Sequence, residues 1–233
     1  MSTRRDFLIG MGCVSAGAMT ARADDLCAVF TKESQGAISS AQALERLKAG
    51  NARFVAGHPI HCDARAQVKS TAAGQAPFAA VLGCMDSRTA PELVFDQNIG
   101  DIFAVRVAGN FVNTDILGSL EYATQVAGAK LIVVLGHSDC GAVKGAIDHV
   151  ELGNLTAALA NIRPAVAEVT DAGGPRDSKN KKFVQKVSER NVKDAAAQLA
   201  ARSPILAGLA GDQKLLIVGA MHDVGTGAVS WLA

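Results

Sequence analysis

Two stretches of this chain end alike. Residues 77–88 read PFAAVLGCMDSR and residues 131–141 read LIVVLGHSDCG. Each opens with a short apolar run of small or β-branched residues, the signature of a buried strand. Each run stops at a glycine, Gly83 or Gly136, and then delivers side chains of metal-binding type. Cys84, Asp86 and Arg88 follow the first; His137 and Cys140 follow the second. A strand that stops abruptly presents the next residues at one edge of its sheet. Two such strands, about fifty residues apart, describe one site built from two strand ends.

The rest of the chain supplies a scaffold for them. The stretch from Ser39 to Phe54 carries Leu44, Leu47 and Phe54 at helical spacing, with Ser39 or Ser40 to cap it and Gly57 to end it. It reads as an N-terminal helical arm that packs on a neighbouring copy. Residues 58–74 read as a polar connection, and 90–96 as a short helix or turn. Residues 102–109 read as a strand, 114–128 as a helix capped by Thr114 or Asp115, 154–170 and 182–202 as helices, and 214–223 as a strand. The AVSWL run adds a short final strand. Strands alternating with helices predict an α/β fold: a mostly parallel central β-sheet flanked by helices. Such sheets bind ligands beyond the carboxyl ends of their strands, where strand order reverses.

Of the 233 residues, 49% are of hydrophobic type, enough for one sizeable core. The formal charge is +1, which gives no footing for nucleic acid or a membrane surface. The start differs in kind. Arg4-Arg5, the run Phe7-Leu8-Ile9 and the small-residue site Ala21-Arg22-Ala23 make residues 1–23 a signal peptide of twin-arginine type, with an ordinary secretory signal as the alternative. Residues 24–233 then form a single exported domain, periplasmic in a bacterium. The twin-arginine route carries folded proteins, which places metal loading before export. No later apolar run is long enough to span a bilayer.

Zinc takes Cys sulfur and His nitrogen in tetrahedral sites, and its catalytic sites keep one position open. Cys84, His137 and Cys140 provide three such ligands. The His-x-x-Cys spacing alone is weak, but its combination with a second strand end bearing Cys, Asp and Arg is a stronger signal. The blander readings are buried cysteines, a Cys84–Cys140 disulfide, a core histidine, or a closed structural zinc completed by Cys27 or Cys62. The zinc deaminase pattern is absent.

CMDSR at 84–88 and HSDCGAVKG at 137–145 resemble the paired signatures of the β-class carbonic anhydrases. The likeness runs from KAGNARF at 48–54 to MHDVGTGAV near the end. Met85 stands where Ser is usual, and Val107 where Asn is frequent. The resemblance implies one Zn2+ per subunit on Cys84, His137 and Cys140, with Asp86 and Arg88 as a catalytic pair. It implies that Gln75, Phe103 and Tyr122 contact substrate, and that the protein is a homodimer or homotetramer in which they serve the partner's zinc. The implied reaction is the reversible hydration of carbon dioxide to bicarbonate and a proton. Hydrolysis of carbon disulfide or carbonyl sulfide, and metal binding without turnover, are the alternatives. In some members Asp86 would become a fourth zinc ligand at low pH. Members that pair this with a bound bicarbonate carry a Trp where Val81 stands here, so the resemblance favours an open site.

Two thiolates and one neutral imidazole leave zinc with no net charge. Such a centre acidifies water less than one with three histidines. Asp86 then has a task, to orient the nucleophile, and Arg88 holds Asp86 ionised. Cys27 and Cys62 remain outside the zinc set; in an oxidising compartment they can pair, or they stay thiols. His58, His61 and His149 read as surface residues, and His222 as structural.

Overall fold

The computed structural model describes residues 26–232; the signal-peptide reading of residues 1–23 lies outside them. A five-stranded sheet forms the centre, in the order β2-β1-β3-β4-β5. The strands are β1 (Ala79–Gly83), β2 (Ile102–Arg106), β3 (Leu131–His137), β4 (Leu216–His222) and β5 (Val229–Leu232). The first four run parallel, and β5 pairs with β4 antiparallel. From β1 the chain crosses to β2 on one side, then returns past β1 to build β3 on the other. Strand order therefore reverses between β1 and β3, the two strands that end in Cys84 and His137.

Alternation along the strands divides the core. Ala80, Leu82, Ile132 and Val134 face Leu117, Leu120, Val192, Leu199 and Leu206. Ala79, Val81, Leu131, Val133 and Leu135 face Ala43, Leu47, Phe78 and Phe95. Every residue of β1 and β3 is buried, as an apolar strand covered on both faces requires. A third cluster, with Val143, Ile147, Leu159, Ile162, Phe183 and Val187, packs around Cys84 and Cys140 beyond the strand ends.

The helices, in chain order, are α1 (Lys32–Ala37), α2 (Ser40–Val55), α3 (Ala64–Thr71), α4 (Pro91–Val94), α5 (Thr114–Glu121), α6 (Gly141–Ile147), α7 (Gly153–Ala160), α8 (Arg163–Glu168), α9 (Lys181–Arg202) and α10 (Pro204–Gly211). Ser39 and Gln42 cap α2 reciprocally. Its buried face lies on its own chain, with Ala43 and Leu47 in the core and Asn51 donating to the carbonyls of Val94 and Gly227. This revises the expectation that the apolar face of the arm packs on a neighbour. The predicted helix 154–170 is two helices, because Pro164 cannot continue the ladder and Ile162 is buried at the break. The cap of α5 is Asn113 rather than Thr114 or Asp115. A π-helical turn over Tyr122–Val126 extends α5 to Gly128, whose φ is +93°. The connection at 58–74 contains α3, capped by Asp63.

Candidate metal centre

Three elements deliver the ligands. Cys84 follows β1, His137 is the last residue of β3, and Cys140 is the N-cap of α6. All three are buried, and their ligand atoms lie within 4.8 Å of one another. The sulfurs are 4.0 Å apart. Bonds of about 2.3 Å at tetrahedral angles put two zinc-bound sulfurs about 3.8 Å apart, so the pair is spaced for one ion. His137 Nδ1 lies 2.9 Å from the carbonyl of Ser138, which assigns the proton to Nδ1 and leaves a lone pair on Nε2. That Nε2 is buried without a hydrogen-bond partner. An orphaned imidazole nitrogen beside two close sulfurs is the donor set that zinc fits.

Charge in the cluster follows from contact. The Cys84 thiol is pulled well down by its Cys140 neighbour first, and further by His137 and the Gly109 N–H, against the effect of burial. The same pairing and burial push Cys140 up. Burial, the largest single effect, works to lower His137, but Cys84, the Ser138 carbonyl and Asp86 together outweigh it and the net shift is upward. A metal ion that displaces these protons meets a site already biased toward thiolate.

Beside the cluster, Arg88 binds Asp86 through two parallel bonds, Nε to Oδ1 at 2.9 Å and Nη2 to Oδ2 at 2.7 Å. Asp86 Oδ2 is 3.9 Å from His137 Nε2, so the carboxylate borders the triad while its bonds go to Arg88. The Arg88 guanidinium holds the Asp86 carboxyl well below the usual carboxylate range.

Several residues that sequence reasoning passed over support this arrangement. Arg106, at the end of β2, donates to the carbonyls of Cys84 at 2.9 Å and Asp86 at 2.5 Å. It steadies the loop that carries both. The signal was its register opposite Gly83, which only strand pairing reveals. Asp139, at φ +57°, pairs with Lys144 and lies 3.9 Å from Arg88 Nη1. His222 pairs in register with His137 and is buried, but it stands outside the ligand cluster. His58, His61 and His149 are exposed.

Gln75, Phe103 and Tyr122 do not join the triad within one chain. Gln75 is exposed ahead of the amino end of β1, the opposite end from Cys84. Phe103 pairs with Ala80, four residues before Cys84, which is about 13 Å along the strand. Its ring meets Tyr122 edge-on at 6.3 Å. The two line a groove of about 860 Å³ over the edge strand β2 and α5, which ends at Arg106. Cys27 and Cys62 form a disulfide with Cα atoms 5.5 Å apart.

A parallel sheet with a Cys-His-Cys centre at its switch point, bordered by an Asp–Arg pair, defines a zinc enzyme of α/β type. Residues 79–229 match the carbonic anhydrase family. The chain is 41% identical over 191 residues to carbonic anhydrase 2 of Mycobacterium tuberculosis, covering 79% of this chain and 89% of the relative. It is 40% identical over 189 residues to a carbonic anhydrase of Mycolicibacterium smegmatis, covering 80% and 90%. Among solved structures, the β-carbonic anhydrase CafA of Aspergillus fumigatus superposes with a TM-score of 0.65 at 26% identity, over 82% of this chain and 89% of that one. A tetrameric β-carbonic anhydrase of Sordaria macrospora gives 0.61 at 27% identity, over 71% and 85%. The chain belongs to the β-class carbonic anhydrase family, and it is a carbonic anhydrase with carbon dioxide and bicarbonate as its substrates.

Proposed function

We propose that Asp86 and Arg88 form the orienting pair of the hydration reaction, beside a zinc held by Cys84, His137 and Cys140. The observation that carries this is the two-point Arg88–Asp86 bond next to a buried, unpartnered His137 Nε2. When bound, zinc acidifies water and so provides a nucleophile near neutral pH. Asp86 is the only carboxylate bordering the triad at this distance among the described residues, and it is ionised. Its Oδ2 is the acceptor that aims an attacking O–H. Arg88 fixes both oxygens, so Asp86 does not itself reach the ligand cluster. Arg106 keeps the Cys84–Asp86 loop from shifting. Stopped-flow hydration with a pH indicator, on zinc-loaded protein, tests this reading. Turnover should fall to background on chelation and return with zinc; Asp86→Asn at full turnover would overturn the roles.

Two finer readings go with it. The first is assembly as a homodimer or homotetramer, in which a second copy supplies Gln75, Phe103 and Tyr122 to the site. Its support is that these residues stay away from their own triad, and that β2 is a sheet edge with Ala104 and Arg106 exposed. The second is export by the twin-arginine route after removal of residues 1–23. Its support is the Arg4-Arg5 start and the Cys27–Cys62 disulfide, a bond that persists in oxidising compartments. Cell fractionation with determination of the mature N-terminus tests the second.

A further inference from the structure

We propose that Asn191, in the middle of α9, is a positioning residue for the Cys84 thiolate, acting through the turn at Val107–Asn110. The inference rests on Cys84 being a zinc ligand.

The turn follows β2. Asn110 N–H donates to the Val107 carbonyl at 3.1 Å, and Gly109, at the third position, has φ +84°. That is the geometry of a type II turn, which requires a positive φ there. The turn is tied to the end of β1 at Val107, whose N–H donates to the Gly83 carbonyl and whose carbonyl accepts from Met85 N–H, and it is gripped at Gly109 from both sides. The Gly109 N–H donates to Cys84 Sγ at 3.3 Å. The Gly109 carbonyl accepts from Asn191 Nδ2 at 2.8 Å. Asn191 is 4% exposed and belongs to a helix that packs against β3 and β4, so its amide is a fixed point. A side chain at Gly109 is excluded as well, because a Cβ would lie 2.4 Å from Ile162 Cδ1.

Each bond constrains the next. Asn191 fixes the Gly109 carbonyl, the turn fixes the Gly109 N–H, and that N–H fixes one lobe of the Cys84 sulfur. An N–H···S bond draws charge from a thiolate and sets the direction of its remaining lone pairs. Outer partners of this kind typically change metal affinity 10–100-fold when removed. No helix residue other than Asn191 reaches the Gly109 carbonyl by a hydrogen bond among the described residues.

The test compares Asn191→Leu, which keeps side-chain bulk but has no donor, with Leu199→Ala. Leu199 is a fully buried residue two turns further along the same helix. Zinc affinity is measured by competition with a chromophoric chelator, and the sulfur-to-cobalt charge-transfer band is recorded on the cobalt-substituted proteins. Asn191→Leu should weaken zinc 10–100-fold and shift the band. Leu199→Ala should lower the melting temperature while leaving both within twofold of the parent. If Asn191→Leu does not fold, Asn191→Ser, whose hydroxyl is too short to reach the turn, carries the same expectation. Equal affinity in the Asn191 variant and the parent, or equal losses in both helix variants, would overturn the proposal. Failure of the parent to bind zinc at all would instead overturn the assignment of Cys84 as a ligand.

Discussion

Arg88 meets Asp86 three times: its guanidinium spans both carboxylate oxygens, and its backbone N–H donates to Oδ1 at 2.9 Å. The residues are two apart in sequence, so the pair closes on itself without help from elsewhere. A bidentate arginine fork on a carboxylate is among the stronger and more directional polar contacts. The acid is thereby held with Oδ2 3.9 Å from His137 Nε2, bordering the triad without joining it.

Removing the fork should release the acid. Arg88→Ala is expected to retain zinc and lose about 100-fold or more in turnover, since a misplaced catalytic carboxylate forfeits most of its effect. X-ray absorption on the zinc should then show an added oxygen ligand, from Asp86. An unchanged zinc coordination with parental turnover would remove Arg88 from the mechanism.

Ligands and orienting acid should separate by metal content. Cys84→Ala and His137→Ala are expected to lose zinc after dialysis against a weak chelator, while Asp86→Asn keeps it and loses about 10²–10⁴ in turnover. Loss of zinc from Asp86→Asn as complete as from Cys84→Ala would make Asp86 an obligatory ligand.

The acid's ionisation has a signature in pH. Its carboxyl is held below the usual range, chiefly by Arg88. A depressed carboxyl stabilises the fold above its unfolded value of about 3.9, and that contribution is lost as pH falls through the lower folded value. Over about pH 6 to 9 Asp86 therefore does not titrate. Asp86→Asn should lower hydration at every pH in that window while the rate keeps its dependence on pH. A variant whose rate no longer varied with pH there would make Asp86 the titrating group and contradict the assignment.

The proposed sharing of Phe103 and Tyr122 between copies predicts an effect on binding and not on the metal. Tyr122→Ala and Phe103→Ala are expected to raise KM several-fold at full zinc content, on the scale of about 1 kcal/mol for a trimmed apolar contact. Light scattering should give a dimer or tetramer for the parent. A monomer with full activity would rule out the shared site.

The disulfide closes a loop with a sequence separation of 35. Chain-entropy reasoning gives it about 3–4 kcal/mol. Cys27→Ser with Cys62→Ser should lower the melting temperature while leaving the zinc content unchanged. Intact mass after alkylation, with and without reductant, should differ by two labelled thiols.

Much of this was legible beforehand for a physical reason. β1 and β3 are buried on both faces, so burial wrote apolar runs into the sequence, and their abrupt ends exposed Cys84, His137 and Cys140 as a set. Other parts leave weaker traces. α3 and α10 are short and rich in alanine, glycine or polar residues, so their clear signals were confined to their starts: Asp63 for α3, and Ser203 followed by Pro204 for α10. The π-helical turn at Tyr122 has no compositional mark. Arg106 reads as an ordinary sheet residue until its register shows it bonding to the Cys84 and Asp86 carbonyls. Asn191 reads as one polar residue on a long helix, and its partner lies 82 positions away.

The central pairing ties metal capture to a long-range closure of the chain. β1 and β3 meet with Ala79 against Leu131, about fifty residues apart, with β2 on the other side of β1. Contacts this distant close slowly, because chain entropy is lost before they contribute. Cys84 stays remote from the His137 and Cys140 pair until that closure occurs. Before that closure the triad offers a metal only its neighbouring pair, His137 and Cys140, and capture by all three marks the docking of β1 on β3. Rate of three-ligand zinc capture by refolding protein is thus a clock for β1–β3 docking, and it should run no faster than formation of the β1–β3 pairing.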